Sequence, residues 1–250
     1  MFYFSLWAVK VEAGSNDKSF EGNSLFTLFS ITVTLTEAGY ENISSILEAI
    51  FSYLLLIKIT PMDVHKKLFA EYKQIKDTVF RYQEEKTAVD NVEECVVNMQ
   101  YYNPEDILTG SEIYFEFSEK IVLDLINKLN ERKFNLMILT DKYSSFDKVE
   151  KWFGTEYAEL EFPDEYRKLW DERKLQTQFK VPIPNEFICT DFQIHSMEND
   201  DNTKKQKYPE VIFKNDFCEC YFKLDATFKL PYGYIYVYLI SPLPIDSVEK

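Results

Sequence analysis

The feature that most constrains this chain is a change of hydrophobic period between residues 29 and 57. Phe29, Ile31, Val33 and Leu35 alternate with Ser30, Thr32, Thr34 and Thr36. A repeat of two puts one face of an extended strand in a core and leaves the other polar. Beyond Thr36 the repeat lengthens, and Ile43, Leu47, Ile50, Leu54 and Ile57 recur at the spacing of an amphipathic helix. The order predicts an α+β domain, mostly antiparallel sheet packed on helices. The apolar stretch Trp7 to Val11 predicts an outer strand beside the first, joined through Gly14, Ser15, Asn16 and Asp17.

Helical signals continue. Thr60-Pro61-Met62-Asp63 reads as a helix start, with Thr60 as cap, Pro61 in the first turn and Asp63 at the positive dipole end. Val64, Leu68, Tyr72, Ile75, Val79 and Tyr82 form the stripe that follows. Thr87 and Asp90 have capping-box spacing before Val89, Val92, Val96 and Met99. Asn103-Pro104 stops that helix. Ser118 caps another, striped by Ile121, Leu125 and Leu129, and residues 163–170 predict a short helix. The unbroken apolar run from Phe134 to Leu139 predicts a central strand.

Residues 179–185 carry two prolines within three positions, which favours an extended linker. We therefore place a domain boundary in this stretch, with a second domain beyond it. Strand-like segments follow at 185–194, 210–214, 218–224 and 234–240. The chain ends just after the last of them, so this second domain would lack helices to cover its sheet, and we expect it to be partial.

The net charge of −14 argues against nucleic acid and anionic membranes, which need clustered Lys and Arg. It tolerates cationic peptides and would steer them electrostatically, the competing reading being a charge that serves solubility alone. The basic run at Lys204, Lys205 and Lys207 follows an acidic stretch and reads as a solvated loop. The densest apolar run, Ala49 to Ile57, falls short of the roughly 20 residues a membrane span needs. The apolar start at residues 1–9 lacks a basic leader, so we expect a cytoplasmic protein. Four cysteines, Cys95, Cys189, Cys218 and Cys220, form no regular framework and are expected to be reduced. Cys218 and Cys220 are too closely spaced for the usual zinc-ligand pair and have no His nearby in sequence.

Candidate chemistry is sparse. The two histidines, His65 and His195, are far apart and are expected at the surface. Glu84 and Glu85 are adjacent, so on a helix they diverge by about 100° and do not make an acid–base pair. There is no Gly-rich phosphate loop and no Gly-x-Ser-x-Gly.

Seven short segments occur in a telling order. They are Thr34-Leu35-Thr36-Glu37-Ala38-Gly39, Phe80-Arg81-Tyr82-Gln83-Glu84-Glu85, Asn98-Met99-Gln100-Tyr101-Tyr102 and Ile107-Leu108-Thr109-Gly110. Then come Trp152-Phe153-Gly154-Thr155 with Tyr157, Asn185-Glu186-Phe187-Ile188 with Thr190 and Phe192, and Asp225, Phe228 and Pro231. Together they resemble the M16 zinc metallopeptidases, in the nardilysin and insulin-degrading enzyme branch.

The resemblance implies four related α/β domains around a peptide chamber, with residues 1–172 of this chain matching the second domain, 173–184 a linker and 185–250 the start of a third α/β domain of the same type. It places zinc and the general-base Glu in the first domain, which this chain lacks. No catalytic residue, metal ligand or cofactor is therefore expected here, and the chain alone is expected to be inactive. The implied role is to wall the chamber and position peptides, with the remaining domains of the full-length peptidase as partners. In the family an edge strand of the second domain captures the N-terminal part of a peptide, and Val11, Glu12, Ala13, Gly14 and Ser15 match it. Glu12 would attract a free α-amino group. Two departures stand out. The Gly-rich helical stretch that precedes this strand in the family is absent. Arginines that follow the Phe80–Glu85 segment in insulin-degrading enzymes correspond here to Thr87 and Val89, so no anion site is expected there. The competing reading is a stand-alone peptide- or protein-binding scaffold derived from the peptidase.

Overall fold

The computed structural model describes residues 7–15, 22–23, 25–131, 133–194, 208–224 and 230–241. His195, the basic run at 204–207, Asn16, Asp17, Asp225 and Phe228 lie outside the described residues. The fold is α+β. Six helices and three two-stranded antiparallel sheets are seen among the described residues. The chain divides into two compact units, one of Met1–Asp77 with Glu85–Glu186, the other of Thr78–Glu84 with Phe187–Lys250.

The first unit opens with β1 (Ala8–Gly14) paired antiparallel to β2 (Ser30–Leu35), with Val11 opposite Val33 and a register irregularity between Ala8 and Lys10. Ile31, Val33 and Leu35 are half-buried while Thr32 and Thr34 are exposed, as the alternation predicts, but Phe29 precedes the strand and is 49 % exposed, and Ser30 is half-buried. Thr36 then caps a single helical turn, α1 (Glu37–Tyr40), its side chain accepting from Gly39 N. The Thr36 amide donates to the Trp7 carbonyl at 3.0 Å, which fastens the start of α1 to the beginning of β1.

Helix α2 (Ile43–Ile59) is the core element. It buries Ile46, Leu47, Ala49, Phe51, Ser52 and Leu54. The Ser52 hydroxyl accepts from the Gln176 amide at 2.9 Å, so a polar group that is 1 % exposed keeps a partner. Against α2 pack α5 (Glu119–Leu129) and α6 (Asp164–Asp171). Trp170 of α6 meets Phe51 edge-on at a centroid distance of 4.9 Å, and Phe134 lies 5.6 Å from Phe51 and 5.5 Å from Trp170. Such tilted and edge-to-face rings suit the aromatic quadrupole.

Helix α3 (Met62–Arg81) leaves α2 at a 100° bend. Thr60 departs from expectation here. Its hydroxyl donates to the Leu56 carbonyl at 2.8 Å, so it closes the end of α2 rather than capping α3. His65, expected at the surface, is instead half-buried with Nε2 3.2 Å from the Ile57 carbonyl. The Leu56 carbonyl thus takes both the amide and the hydroxyl of Thr60, while the His65 ring meets the Ile57 carbonyl, one of those a helix end leaves free.

Thr87 caps α4 (Ala88–Asn98) as its spacing predicts, accepting from Asp90 N and donating to the Asp90 carboxylate at 2.6 Å. At the far end Asn98, 2 % exposed, donates to the Ile107 carbonyl at 2.8 Å and to Ser111 Oγ at 3.3 Å. It thereby pins the loop containing the 3-10 turn Pro104–Asp106. The predicted α4 stripe of Val89, Val92, Val96 and Met99 is exposed. On α5 Ile126 is buried and Leu129 of the predicted stripe packs on the core, while Ile121 and Leu125 of that stripe face out. Residues 134–139 form no strand: Phe134 is drawn into the aromatic cluster, and among the described residues no ladder partner lies beside the run.

A hairpin of β3 (Lys148–Val149) and β4 (Glu156–Tyr157) completes the first unit. The Glu150 carboxylate accepts from both Trp152 N and Phe153 N at 2.7 Å, and Gly154 takes φ +69°, a left-handed value natural for glycine. This turn leaves Trp152 77 % and Phe153 91 % exposed.

In the second unit β5 (Glu210–Lys214) pairs antiparallel with β6 (Glu219–Phe222). Tyr82 stacks on Phe192 at 4.9 Å, and Tyr234 donates to the Glu84 carboxylate. Residues 185–194 and 234–240, read as strand-like, have no ladder.

Candidate peptide-binding edge

Strand β1 supplies the one segment that sequence reading singled out for binding, Val11 to Ser15. The structure keeps these residues consecutive along one side of a two-stranded sheet. β1 pairs with β2 on one edge, and among the described residues no strand pairs with its other edge. A strand edge of this kind presents N–H and C=O groups to a further extended chain.

Local composition keeps the edge open. Gly14 sits at φ +154°, and a Cβ built there meets nothing within 4 Å, so backbone can approach closely. The Ser30 hydroxyl donates to the Gly14 carbonyl at 3.5 Å, holding this end of β1 on β2. The Ser15 hydroxyl is enclosed without a hydrogen-bond partner. Val11 is 39 % exposed and Ala13 is exposed, so small or slim side chains border the edge.

Charge at the site differs from the simplest expectation. Glu12 pairs with Lys10 at 2.8 Å, both side chains more than half exposed. The two lie on one face because their spacing equals the strand period. An exposed pair of this type contributes at most about 1 kcal/mol, so an incoming ammonium can displace Lys10. The i, i+2 spacing was visible in the sequence, yet the pairing was missed because Glu12 was read without its neighbour.

No acid–base or metal chemistry accompanies the edge. Among the described residues no group of three or more His, Cys, Asp or Glu side chains could hold a metal ion. A hydrolytic zinc needs three protein ligands and an open position, so these residues do not fit one. His65 is engaged at the end of α2, and Glu84 is held by Tyr234, whose hydroxyl is shifted upward by that hydrogen bond.

Known proteins resemble the chain over nearly its whole length. The sequence profile for the middle or third domain of peptidase M16 matches residues 80–250. Human nardilysin is 35% identical over 240 residues, covering 95% of this chain and 20% of nardilysin. Bovine insulin-degrading enzyme is 29% identical over 223 residues, covering 89% of this chain and 21% of that enzyme. The chain thus spans about a fifth of the length of these relatives. The crystal structure of pitrilysin superposes with a TM-score of 0.64 at 19% identity, over 91% of this chain and 23% of pitrilysin, a likeness of fold. The profile begins at residue 80 and so crosses the boundary expected near 185.

Proposed function

This chain belongs to the M16 peptidase family, in its nardilysin and insulin-degrading enzyme branch, and on that premise we propose that it is a non-catalytic part that walls a peptide chamber and positions peptides for cleavage elsewhere. The observation that carries the reading is the edge of β1 at Val11–Gly14, with which no second strand pairs among the described residues, and the exposed carboxylate at Glu12. A peptide laid along that edge would gain main-chain hydrogen bonds, each worth about 1 kcal/mol net. Its free amino terminus would be drawn to Glu12. The overall charge of −14 favours basic peptides. The setting is the cytoplasm, and the partners are the other domains of the enzyme.

Amide hydrogen exchange tests the edge directly. Addition of an extended basic peptide is expected to slow exchange at residues 9–15. Glu12→Gln is expected to weaken a free-amine peptide about 2- to 5-fold, the scale of an exposed ion pair, and to leave its acetylated form unchanged. Protection confined to residues 30–35, or equal weakening of both peptides, would remove the edge from the reading.

A second expectation concerns catalysis. The purified chain should retain no stoichiometric zinc and should not turn over a fluorogenic dibasic peptide. Elemental analysis and a chelator-controlled assay decide this. Turnover abolished by chelator would overturn the non-catalytic assignment.

A further inference from the structure

The β5–β6 hairpin carries two thiols that the peptide-positioning role does not use. Its register places Lys214 opposite Glu219 and Phe213 opposite Cys220. Continued one step, the same register sets Asn215 opposite Cys218, and the Asn215 amide donates to the Cys218 carbonyl at 2.9 Å. Cys218 is therefore the first rung beyond the Asp216–Phe217 turn. The Asn215 side chain secures that turn by accepting from Phe217 N at 2.9 Å and from Cys218 N at 2.7 Å.

Strand alternation assigns the faces. The Tyr221 hydroxyl donates to Glu219 at 2.7 Å, and Lys214 ion-pairs with the same carboxylate, so Lys214, Glu219 and Tyr221 share one face. Cys218 and Cys220, both exposed, fall on the other, across from Asn215 and Phe213. One carboxylate of the described hairpin shares the thiol face, Glu210 opposite Phe222, two positions along the ladder from Cys220.

Spacing then selects the chemistry. Alternate positions on a strand stand about 6.8 Å apart. A disulfide needs Cβ atoms about 3.8 Å apart, so the pair cannot close on itself without breaking the ladder. Two thiolates bridged by one ion lie up to about 4.6 Å apart, taking about 2.3 Å per metal–sulfur bond. Side chains leaning toward each other cover the remainder. Tetrahedral zinc would want two more ligands, which are not at hand among the described residues. A soft ion content with two sulfurs is copper(I), which prefers thiolates to a hard oxygen donor such as the Glu210 carboxylate. We infer that Cys218 and Cys220 form a two-coordinate site for copper(I), each thiol releasing its proton to solvent as its Cu–S bond forms.

The test titrates the full chain, reduced and under argon, with copper(I) held as its bis-bicinchoninate complex. The wild type is expected to withdraw one equivalent. Cys218→Ser and Cys220→Ser should each weaken uptake by about 100-fold or more, because the second sulfur binds intramolecularly. Cys189→Ser and Cys95→Ser should match the wild type. Circular dichroism should be unchanged in all four variants, since serine is close to cysteine in size. Failure of the wild type to take up copper(I) would refute the site. So would uptake that survives either single change, or loss of two hydrogens from the peptide spanning residues 218–220 on mild oxidation.

Discussion

Trp170→Ala is expected to lower the stability of the first unit by about 3–5 kcal/mol, the range for removing a large aromatic side chain from a core. Trp170 is 5 % exposed and lies where α6 packs on α2. Its indole contacts Phe51, 2 % exposed, and Phe134, and the Arg173 guanidinium covers it at 4.3 Å. Truncation would strand all three neighbours around a void that the flanking helices cannot fill. Trp152→Ala is the control. That ring sits 77 % exposed at a hairpin tip and should change stability by less than about 0.5 kcal/mol. Urea unfolding followed by circular dichroism measures both. Equal midpoints for the two variants would show that the aromatic cluster is not the core.

The second large effect is expected at Gly39. A Cβ built there falls 1.9 Å from the Trp7 carbonyl oxygen and 2.9 Å from its carbon. The obstacle is backbone, which cannot swing aside as a side chain would. Gly39→Ala must therefore push α1 away from the start of β1 and break the bond from the Thr36 amide to that carbonyl. Overpacking of this kind costs about 1–3 kcal/mol, and the lost bond adds roughly 1 kcal/mol. Alanine is a better helix former than glycine, so a gain in stability would show that the close approach does not exist in solution. Gly154→Ala separates the two roles of glycine, because its position is open but its φ is +69°. It should cost only about 1–2 kcal/mol, from conformation alone.

How far the sequence revealed this fold depended on whether a signal was local. The β2 alternation, the Thr87 and Ser118 caps and the helices they open were readable because cap and stripe lie within one turn of each other. Thr60 misled because a hydroxyl between two helices can serve either, and only the bend decides. Ile121 and Leu125 misled because α5 carries an apolar arc wider than one stripe, and the packing of α2 chose the Ile126 side. Residues 134–139 and 234–240 misled for a further reason. A strand exists only with a ladder partner, and composition does not disclose where that partner is. The candidate edge was legible as a resemblance in Val11–Ser15, whereas the Lys10–Glu12 pair needed coordinates. The shared face of Cys218 and Cys220 followed from their spacing once β6 was established.

The turn at Glu150 has a thermodynamic consequence. One carboxylate fixes two successive amides, so the backbone beneath Trp152 and Phe153 is ordered before anything touches it. Immobilising a rotamer-rich side chain on association costs about 0.5–1.5 kcal/mol, and ordering a loop adds to that. Here the loop contribution is already spent during folding, and each ring retains only its own two torsions to freeze. Whatever meets those rings encounters a stiff aromatic point, and little of the encounter energy goes into shaping it.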